Sequence, residues 1–387
     1  MKKLFLFPLY AVSLLLMLPV FTSCDDDNGS DIDEAKEKTF ATIVEQYVNY
    51  TIIPTYKSLA DESIDLYDAL VALKENKTNE NVQIATDKWI KARDYWELSE
   101  AFLFGPASDF GIDPHIDTWP LAKDELLTAL SNDEQIASMS GEDGDVLAGE
   151  LLGRSLLGFH GIEYILFEDG QPKDVSKIVD KELIYAVAVA GDLRNKCFWL
   201  EASWAGIDNV TAKKQEKLEE LEVQLTVNNG RYSYGDDMLN AGKAGSTKIS
   251  YADACETIIE GCITIADEVG AIKIGNPHTG EDVNYIESPY SYNSKVDFIG
   301  NIKSIENAYL GGADATKRGT SLSDYIKTVD SGLDTQIKSA INNAIAKIEA
   351  IPSPFATHFT SEEAGEAMEA CLELADILVE AKRALNK

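Results

Sequence analysis

An all-α fold of two helical bundles is predicted by three observations. Apolar residues recur at helical spacing along most of the chain, period-two alternation rich in β-branched residues is scarce, and the breaks carry strong punctuation. Those breaks are Gly105-Pro106, Asp113-Pro114, Gly170-Gln171-Pro172, Asn229-Gly230, Gly275-Asn276-Pro277, Gly311-Gly312 and Pro352-Ser353-Pro354. The roughly 360 residues after position 23 exceed what one core usually holds. The expected division is an N-terminal four-helix-like bundle over 36–205, a connecting region over 206–245 that is polar and glycine-bearing from Asn228 to Ser246, and a C-terminal bundle over 246–387.

At the N-terminus, Lys2 and Lys3 precede an apolar run from Leu4 to Phe21 that ends in Phe21-Thr22-Ser23-Cys24. This resembles a lipoprotein signal peptide over residues 1–23, with Cys24 as the acylated first residue of the mature chain. The alternative is a retained anchor, because the run is near the ~17–25 residues a membrane helix needs. Small residues directly before Cys24 favour cleavage, as does an acidic, disordered tether over 24–35 that begins Asp25-Asp26-Asp27. The expected location is a bacterial cell envelope, lipid-anchored to the outer membrane on its periplasmic or surface face. No second apolar stretch is long enough to span a bilayer.

The chain carries 34 Lys and Arg against 66 Asp and Glu, a net charge of −32, and loss of Lys2 and Lys3 takes it to −34. Nucleic acid and bare anionic lipid are poor partners for such a surface, so contact with membrane is expected through the lipid anchor only. The field concentrates cations and so permits a metal role without demanding one. Cys197, Cys255, Cys262 and Cys371 show no metal-binding spacing. Cys255 and Cys262 sit about 10.5 Å apart along a helix, beyond the ~7 Å a bridge allows, and buried free thiols are the default expectation.

Amphipathic helices are expected over 36–74, 79–104, 120–138, 145–168, 174–204, 209–226, 249–272, 293–310, 321–350 and 360–386. In the fourth, Gly149, Leu152, Gly153, Leu156, His160, Glu163 and Phe167 share one stripe, so His160 and Glu163 point inward. Burying that pair costs several kcal/mol unless a counter-charge, a hydrogen-bond network or a metal ion accompanies it. A pair that only fixes helix packing is the plain alternative. In the second helix Trp89, Arg93, Trp96 and Glu100 lie at offsets spanning about 60° of arc, placing two aromatics and both signs of charge on one stripe. An arginine beside carboxylates in a core orients them and sets their pKa values. The loop from Gly105 to Pro120 adds rigid turns and further carboxylates, Asp117 among them. Glu100-to-Gly105 and Glu306-to-Gly311 match in spacing, a hint of duplicated bundles, although the His-Glu helix has no counterpart in the second half.

These blocks, in this order, resemble the imelysin family, also called the M75 peptidases, iron-regulated envelope proteins. The blocks are Trp89-x3-Arg93-x2-Trp96-x3-Glu100, the Phe104-Gly105-Pro106 turn, Asp117-Thr118-Trp119-Pro120, the GxHxxE of 158–163, and a late stretch from Tyr292 through Asn301 and Glu306 to Gly311. The likeness covers roughly residues 36–387. It implies two four-helix-bundle domains with a site at their interface and a role in bacterial iron uptake or sensing. It makes His160 and Glu163 the motif positions, Arg93 and Glu100 their neighbours, and Asn301 and Glu306 second-domain candidates.

The chemistry of the residues leaves several functions open. Hard ferric iron prefers carboxylate and phenolate oxygens with some imidazole, which suits His160, Glu163, Glu100 and Tyr164, with Trp96 and Asp117 alongside. Another divalent metal fits the same set, and haem is a rival, although no Cys-x-x-Cys-His is present. A metallopeptidase or other hydrolase using His160 and Glu163 is the enzymatic alternative. Against it, Tyr164 breaks an HxxEH pattern, His115, His278 and His358 are isolated, and no GxSxG occurs, so no catalytic residue is assigned. A structural or binding module without metal is the third reading. An uptake component also calls for a membrane transporter to receive its cargo.

Overall fold

The computed structural model describes residues 27–387. The predicted leader and Cys24 lie outside these residues. Helix α1 (Asp27–Tyr47) begins inside the segment expected to be a disordered tether, because a helix nucleated on the buried 40–47 stretch propagates backward at small cost. Residues 37–387 form one compact unit, which holds every element after α1.

A π-helical turn, Val48–Ile52, joins α1 to α2 (Ile53–Glu75), and α3 (Asn79–Glu97) starts on a Thr78 side-chain cap. After the short helices Lys123–Ser131, Asp133–Ser138 and Gly144–Leu151 come α4 (Gly158–Leu166) and α5 (Asp180–Ala205). Helix α2 packs on both α3 and α5, with α4 against α3 and α5. In the later half α6 (Tyr251–Asp267), α7 (Ser294–Leu310), α8 (Ser331–Ala350) and α9 (Glu362–Ala384) pack together. The halves meet where α3 lies on α7 and where the 3₁₀ turn Glu100–Phe102 lies on α6. Gly261 permits the second approach, since a Cβ there would stand 2.1 Å from the Ala101 carbonyl oxygen. Tyr47, Tyr56, Trp89, Phe102, Phe159 and Phe167 fill the adjoining core with edge-on ring contacts. All four described cysteines are buried and free. Among the described residues no helix is long and apolar enough to cross a membrane.

Several expected helices are shorter than their hydrophobic pattern, and two of them bear on the clustered charges. The 145–168 run is Gly144–Leu151, a 3₁₀ turn Arg154–Leu156, then α4, interrupted by extended backbone at Leu157 (φ −107°, ψ 178°) and positive φ at Gly158. It ends in a hairpin, Phe167–Glu168 paired with Gln171–Pro172 through an Asp169-Gly170 tip of positive φ. The Gly149-to-Phe167 stripe is therefore not one helix face, although His160 and Glu163 do share α4. The 79–104 run stops at Glu97 because Leu98 and Ser99 leave helical ψ and the Ser99 hydroxyl caps the Trp96 carbonyl at 2.7 Å. Glu100 consequently sits on a tighter turn.

Candidate metal centre

Each glycine of the GxHxxE segment has a steric reason. A Cβ at Gly158 would stand 2.0 Å from the Ile116 carbonyl oxygen, at a φ of +67° that other residues avoid, so α4 starts hard against the Asp113–Ile116 turn. A Cβ at Gly161 would stand 2.2 Å from the Tyr185 hydroxyl, which donates to the Leu156 carbonyl. Gly158→Ala is expected to cost about 2 kcal/mol or more, since a strained φ alone costs ~1–3 kcal/mol and the clash adds to it. A urea titration checks this, and an unchanged midpoint contradicts the packing described.

Close packing here presents His160 to Asp117. The fully buried imidazole is held from both sides: Nδ1 lies 3.3 Å from Glu163 Oε2, and Nε2 lies 3.0 Å from Asp117 Oδ1 without the alignment of a hydrogen bond. Trp119 packs on the ring at 4.6 Å between centroids. Glu163 spends its other oxygen on a loop of the later half, accepting from Tyr290 N at 3.0 Å and from Ser291 N and Oγ at 2.8 Å each. That loop is pinned by Gly170 N donating to the Tyr290 carbonyl, so the hairpin tip supports the site. Glu163 thus orients the ring and docks a loop through its two oxygens, as Asp117 meets Arg93 through Oδ1 and Trp96 through Oδ2.

Arg93 lies at the centre, fully buried. Its Nη1 pairs with Asp117 Oδ1, Nη2 lies 2.7 Å from Glu97 Oε1 and 2.6 Å from Glu287 Oε1, and Nε stands 3.7 Å from Asp297 Oδ2. Trp96 donates to Asp117 Oδ2 at 2.8 Å, so it aims that carboxylate. Asn301 donates to Glu97, and a Cβ at Gly300 would stand 2.6 Å from Glu97 Cβ, which explains the Gly300-Asn301 pair of the late block. Glu100 lies 4.0 Å from Lys273 Nζ, itself 3.2 Å from Glu287 Oε1. Lys273 comes from a π-helical segment, Glu268–Ile274, whose widened turn also contributes Glu268. A cleft of about 240 Å³ opens onto Glu100, Asp113, Asp117, Glu268, Lys273 and Glu287.

Two predicted members are elsewhere. Glu306 pairs with Arg318 at 3.2 Å and is partly exposed, so the Glu100–Glu306 correspondence does not extend to the site. Tyr164, one turn after His160, spends its ring on the ammonium groups of Lys123 and Lys173, 5.4 and 5.0 Å from its centroid, and on the Tyr290 ring. Conversely Glu97, Asp113, Glu268, Lys273, Glu287 and Asp297 belong to the cluster and were not singled out from sequence. The one available signal was charge inside apolar helical runs, as in Ala271-Ile272-Lys273-Ile274 and Val296-Asp297-Phe298.

The carboxylates outnumber the cations, and burial enforces the consequence. Desolvation pushes Glu97 and Glu100 well above their ordinary range and Asp113 up to about 7, the last with help from Asp117 and Glu268. Asp297 is pushed to about 7 by burial, against the pull of Arg93. Asp117 alone goes well below its ordinary range, because Arg93 and then His160 outweigh burial. His160 is raised to about 9: burial opposes the charged ring, but the contacts to Asp117 and Glu163 prevail. The cluster therefore holds protons that a cation can replace.

Among the described residues, three sets bring one ligand atom each within 4.8 Å of one another: Asp117, His160 and Glu287; Glu97, Glu100 and Asp117; and Glu97, Glu287 and Asp297. The third surrounds the Arg93 guanidinium, which already neutralises it. The first combines an imidazole with two carboxylates at the cleft. Its histidine is oriented through the remote nitrogen by a carboxylate, the arrangement typical of metal-ligating histidines. One imidazole and oxygens suit iron or another first-row divalent ion.

The chain matches relatives of known description. Residues 52–381 match the profile of the family Imelysin, Peptidase M75. The chain is 26% identical over 318 residues to the iron-regulated protein A of Synechococcus elongatus, covering 82% of this chain and 78% of that one. It superposes with TM-score 0.76 and 29% identity on the crystal structure of a protein described as an iron-regulated protein A precursor from Parabacteroides distasonis, covering 90% of this chain and 95% of that one. An imelysin-like protein from Psychrobacter arcticum shares the fold, with TM-score 0.60 at 15% identity over 90% and 93% of the two chains. The order of its motif blocks, its all-α fold and the extent of the match agree, and the chain belongs to the imelysin family of M75 peptidases.

Proposed function

We propose that this chain is a lipid-anchored protein of the bacterial cell envelope that binds iron, free or carried by a small ligand, where two helical bundles meet, and serves iron uptake. The observation that carries the reading is His160 Nε2: a fully buried nitrogen without an aligned hydrogen-bond partner, held toward Asp117 by Glu163 from behind. Likeness to two iron-regulated proteins supports the choice of metal. Asp117, His160 and Glu287 would hold the ion, which would supply the positive charge that the carboxylate cluster lacks. Arg93 and Trp96 fix Asp117, Lys273 steadies Glu287, and Trp119 walls the ring from water. A hydrolase needs a free base beside the metal, and Glu163, the motif acid, is committed to four hydrogen bonds. Delivery to a membrane transporter completes the reading. Calorimetric titration with ferrous, ferric, zinc and cupric ions, then haem, tests it. Stoichiometric iron binding is expected, and binding of none of these overturns it.

The pH dependence follows from the same proton. His160 has to give up the Nε2 proton to take a metal, so affinity rises with pH, at most about tenfold per unit for that one proton, until the ring deprotonates near 9. For the metal-free chain the sign is opposite. Groups whose folded pKa is raised, His160 to about 9 and Asp113 and Asp297 to about 7, stabilise fully below their unfolded values, and that contribution is lost as pH rises through the folded ones. Thermal midpoints are thus expected to fall between pH 6 and 9 without metal and to fall less with it. Parallel curves contradict this coupling.

A further inference from the structure

Tyr285 stands half-buried on the wall of the 240 Å³ cleft, beside Asp117, Lys273 and Glu287. Its hydroxyl makes no hydrogen bond to any described residue, whereas those of Tyr56, Tyr185, Tyr234 and Tyr309 each donate to the protein. The backbone around it is fixed at both ends. Tyr285 N donates to the Asp282 carbonyl and Asp282 N to that of Asn276, both at 3.1 Å, while the Glu287 carbonyl accepts from Ser294 Oγ at 2.5 Å. Ile286 packs on the hydrophobic core, so Tyr285 and Glu287 face the cleft from either side of an anchored residue. Glu287 is 3% exposed, and its Oε2 has no hydrogen-bond partner, although Oε1 meets Arg93 and Lys273. An unpaired phenol and a buried, unpaired carboxylate oxygen thus line one space. One Glu287 oxygen also lies within 4.8 Å of ligand atoms of Asp117 and His160.

We propose that Tyr285 is a fourth ligand of the cation site and that its phenolate selects ferric iron over divalent ions. This rests on the cation-binding reading above and names the oxidation state that the site takes. Asp117, Glu287 and a neutral His160 supply two negative charges, which match a divalent ion. A phenolate raises the count to three, which matches ferric iron, and it is the hard oxygen donor that such an ion prefers. The Arg93 and Lys273 charges are met outside this set, by Glu97 and Asp297 and by Glu100. On binding, the Tyr285 O–H bond breaks, an oxygen–iron bond forms, and the proton leaves through the cleft to water with no change of oxidation state. Tyr164, the phenol inside the motif helix, is spent on Lys123 and Lys173 and takes no part.

The probes are ferric nitrilotriacetate, read by absorption, and Mn²⁺, read by calorimetry, on the wild-type chain, Tyr285→Phe and Tyr164→Phe. The wild type and Tyr164→Phe are expected to develop a visible phenolate-to-iron charge-transfer band that saturates at one iron per chain, and Tyr285→Phe none. Tyr285→Phe should also hold ferric iron about tenfold or more weakly, since a ligand costs at least what a supporting residue does. Its Mn²⁺ affinity should match the wild type, which shows that the rest of the site is folded. A wild-type ferric complex without the band, or a band that survives in Tyr285→Phe, overturns Tyr285 as a ligand and leaves the site intact. Equal weakening of both ions in Tyr285→Phe overturns the selectivity. A wild-type chain that binds neither ion overturns the cation reading itself, a different result.

Discussion

His160→Ala is expected to abolish stoichiometric iron binding while leaving the helical circular dichroism signal intact. The substitution removes the one nitrogen donor from the Asp117, His160 and Glu287 set, and nothing else near the cleft replaces it, since the other three histidines lie outside that set. Glu163→Gln separates ligation from orientation. An amide keeps the size but changes what Nδ1 and the Tyr290–Ser291 donors meet, and loss of such an orienting carboxylate typically costs 10–100-fold in metal affinity, less than loss of a ligand. Titration of both variants beside the wild type checks the order. Equal affinity in all three sinks the assignment of this pair to the site.

Arg93→Met carries the largest expected loss of stability. The guanidinium contacts Asp117, Glu97, Glu287 and Asp297 with no exposure to solvent. Breaking a buried ion pair by removing one partner costs about 3–5 kcal/mol because the other charge stays desolvated. Here several acids are left, but those already raised by burial take up protons, which limits the loss and ties it to pH. The variant should be several kcal/mol less stable at pH 8 and closer to the wild type at pH 5. Added divalent cation should restore part of the difference, since an ion can occupy the vacated centre of Glu97, Glu287 and Asp297. Denaturant melts at the two pH values decide it, and a loss independent of both pH and cation points to lost packing alone.

The all-α fold was legible because amphipathic periodicity and Gly-Pro punctuation act locally, residue by residue. Arg93, Trp96, Glu100, Asp117, His160 and Asn301, which the fold gathers into one cluster, were legible as neighbours through stripes on two helices and the order of the motif blocks. What escaped depends on distant chain. Glu163 reads from sequence as a ligand alone, and its role in docking a loop depends on donors, Tyr290 and Ser291, that arrive from 127 and 128 residues away. Lys273 and Glu268 face the cleft because a π-helical turn shifts them off the 3.6-residue stripe. Glu287 lies in a loop with no period to read. Glu306 and Tyr164 failed for the converse reason: matched spacing and adjacency named them, and local partners, Arg318 and the lysine pair, turned them elsewhere.

The measurement that bears most directly on the central claim is an anomalous-diffraction map, recorded at the iron absorption edge, from crystals of the iron-loaded chain. The account predicts one peak at bonding distance from His160 Nε2 and from carboxylate oxygens of Asp117 and Glu287, with Glu163 still bonded to Nδ1. A peak bound through Glu163, or located away from His160 altogether, contradicts it.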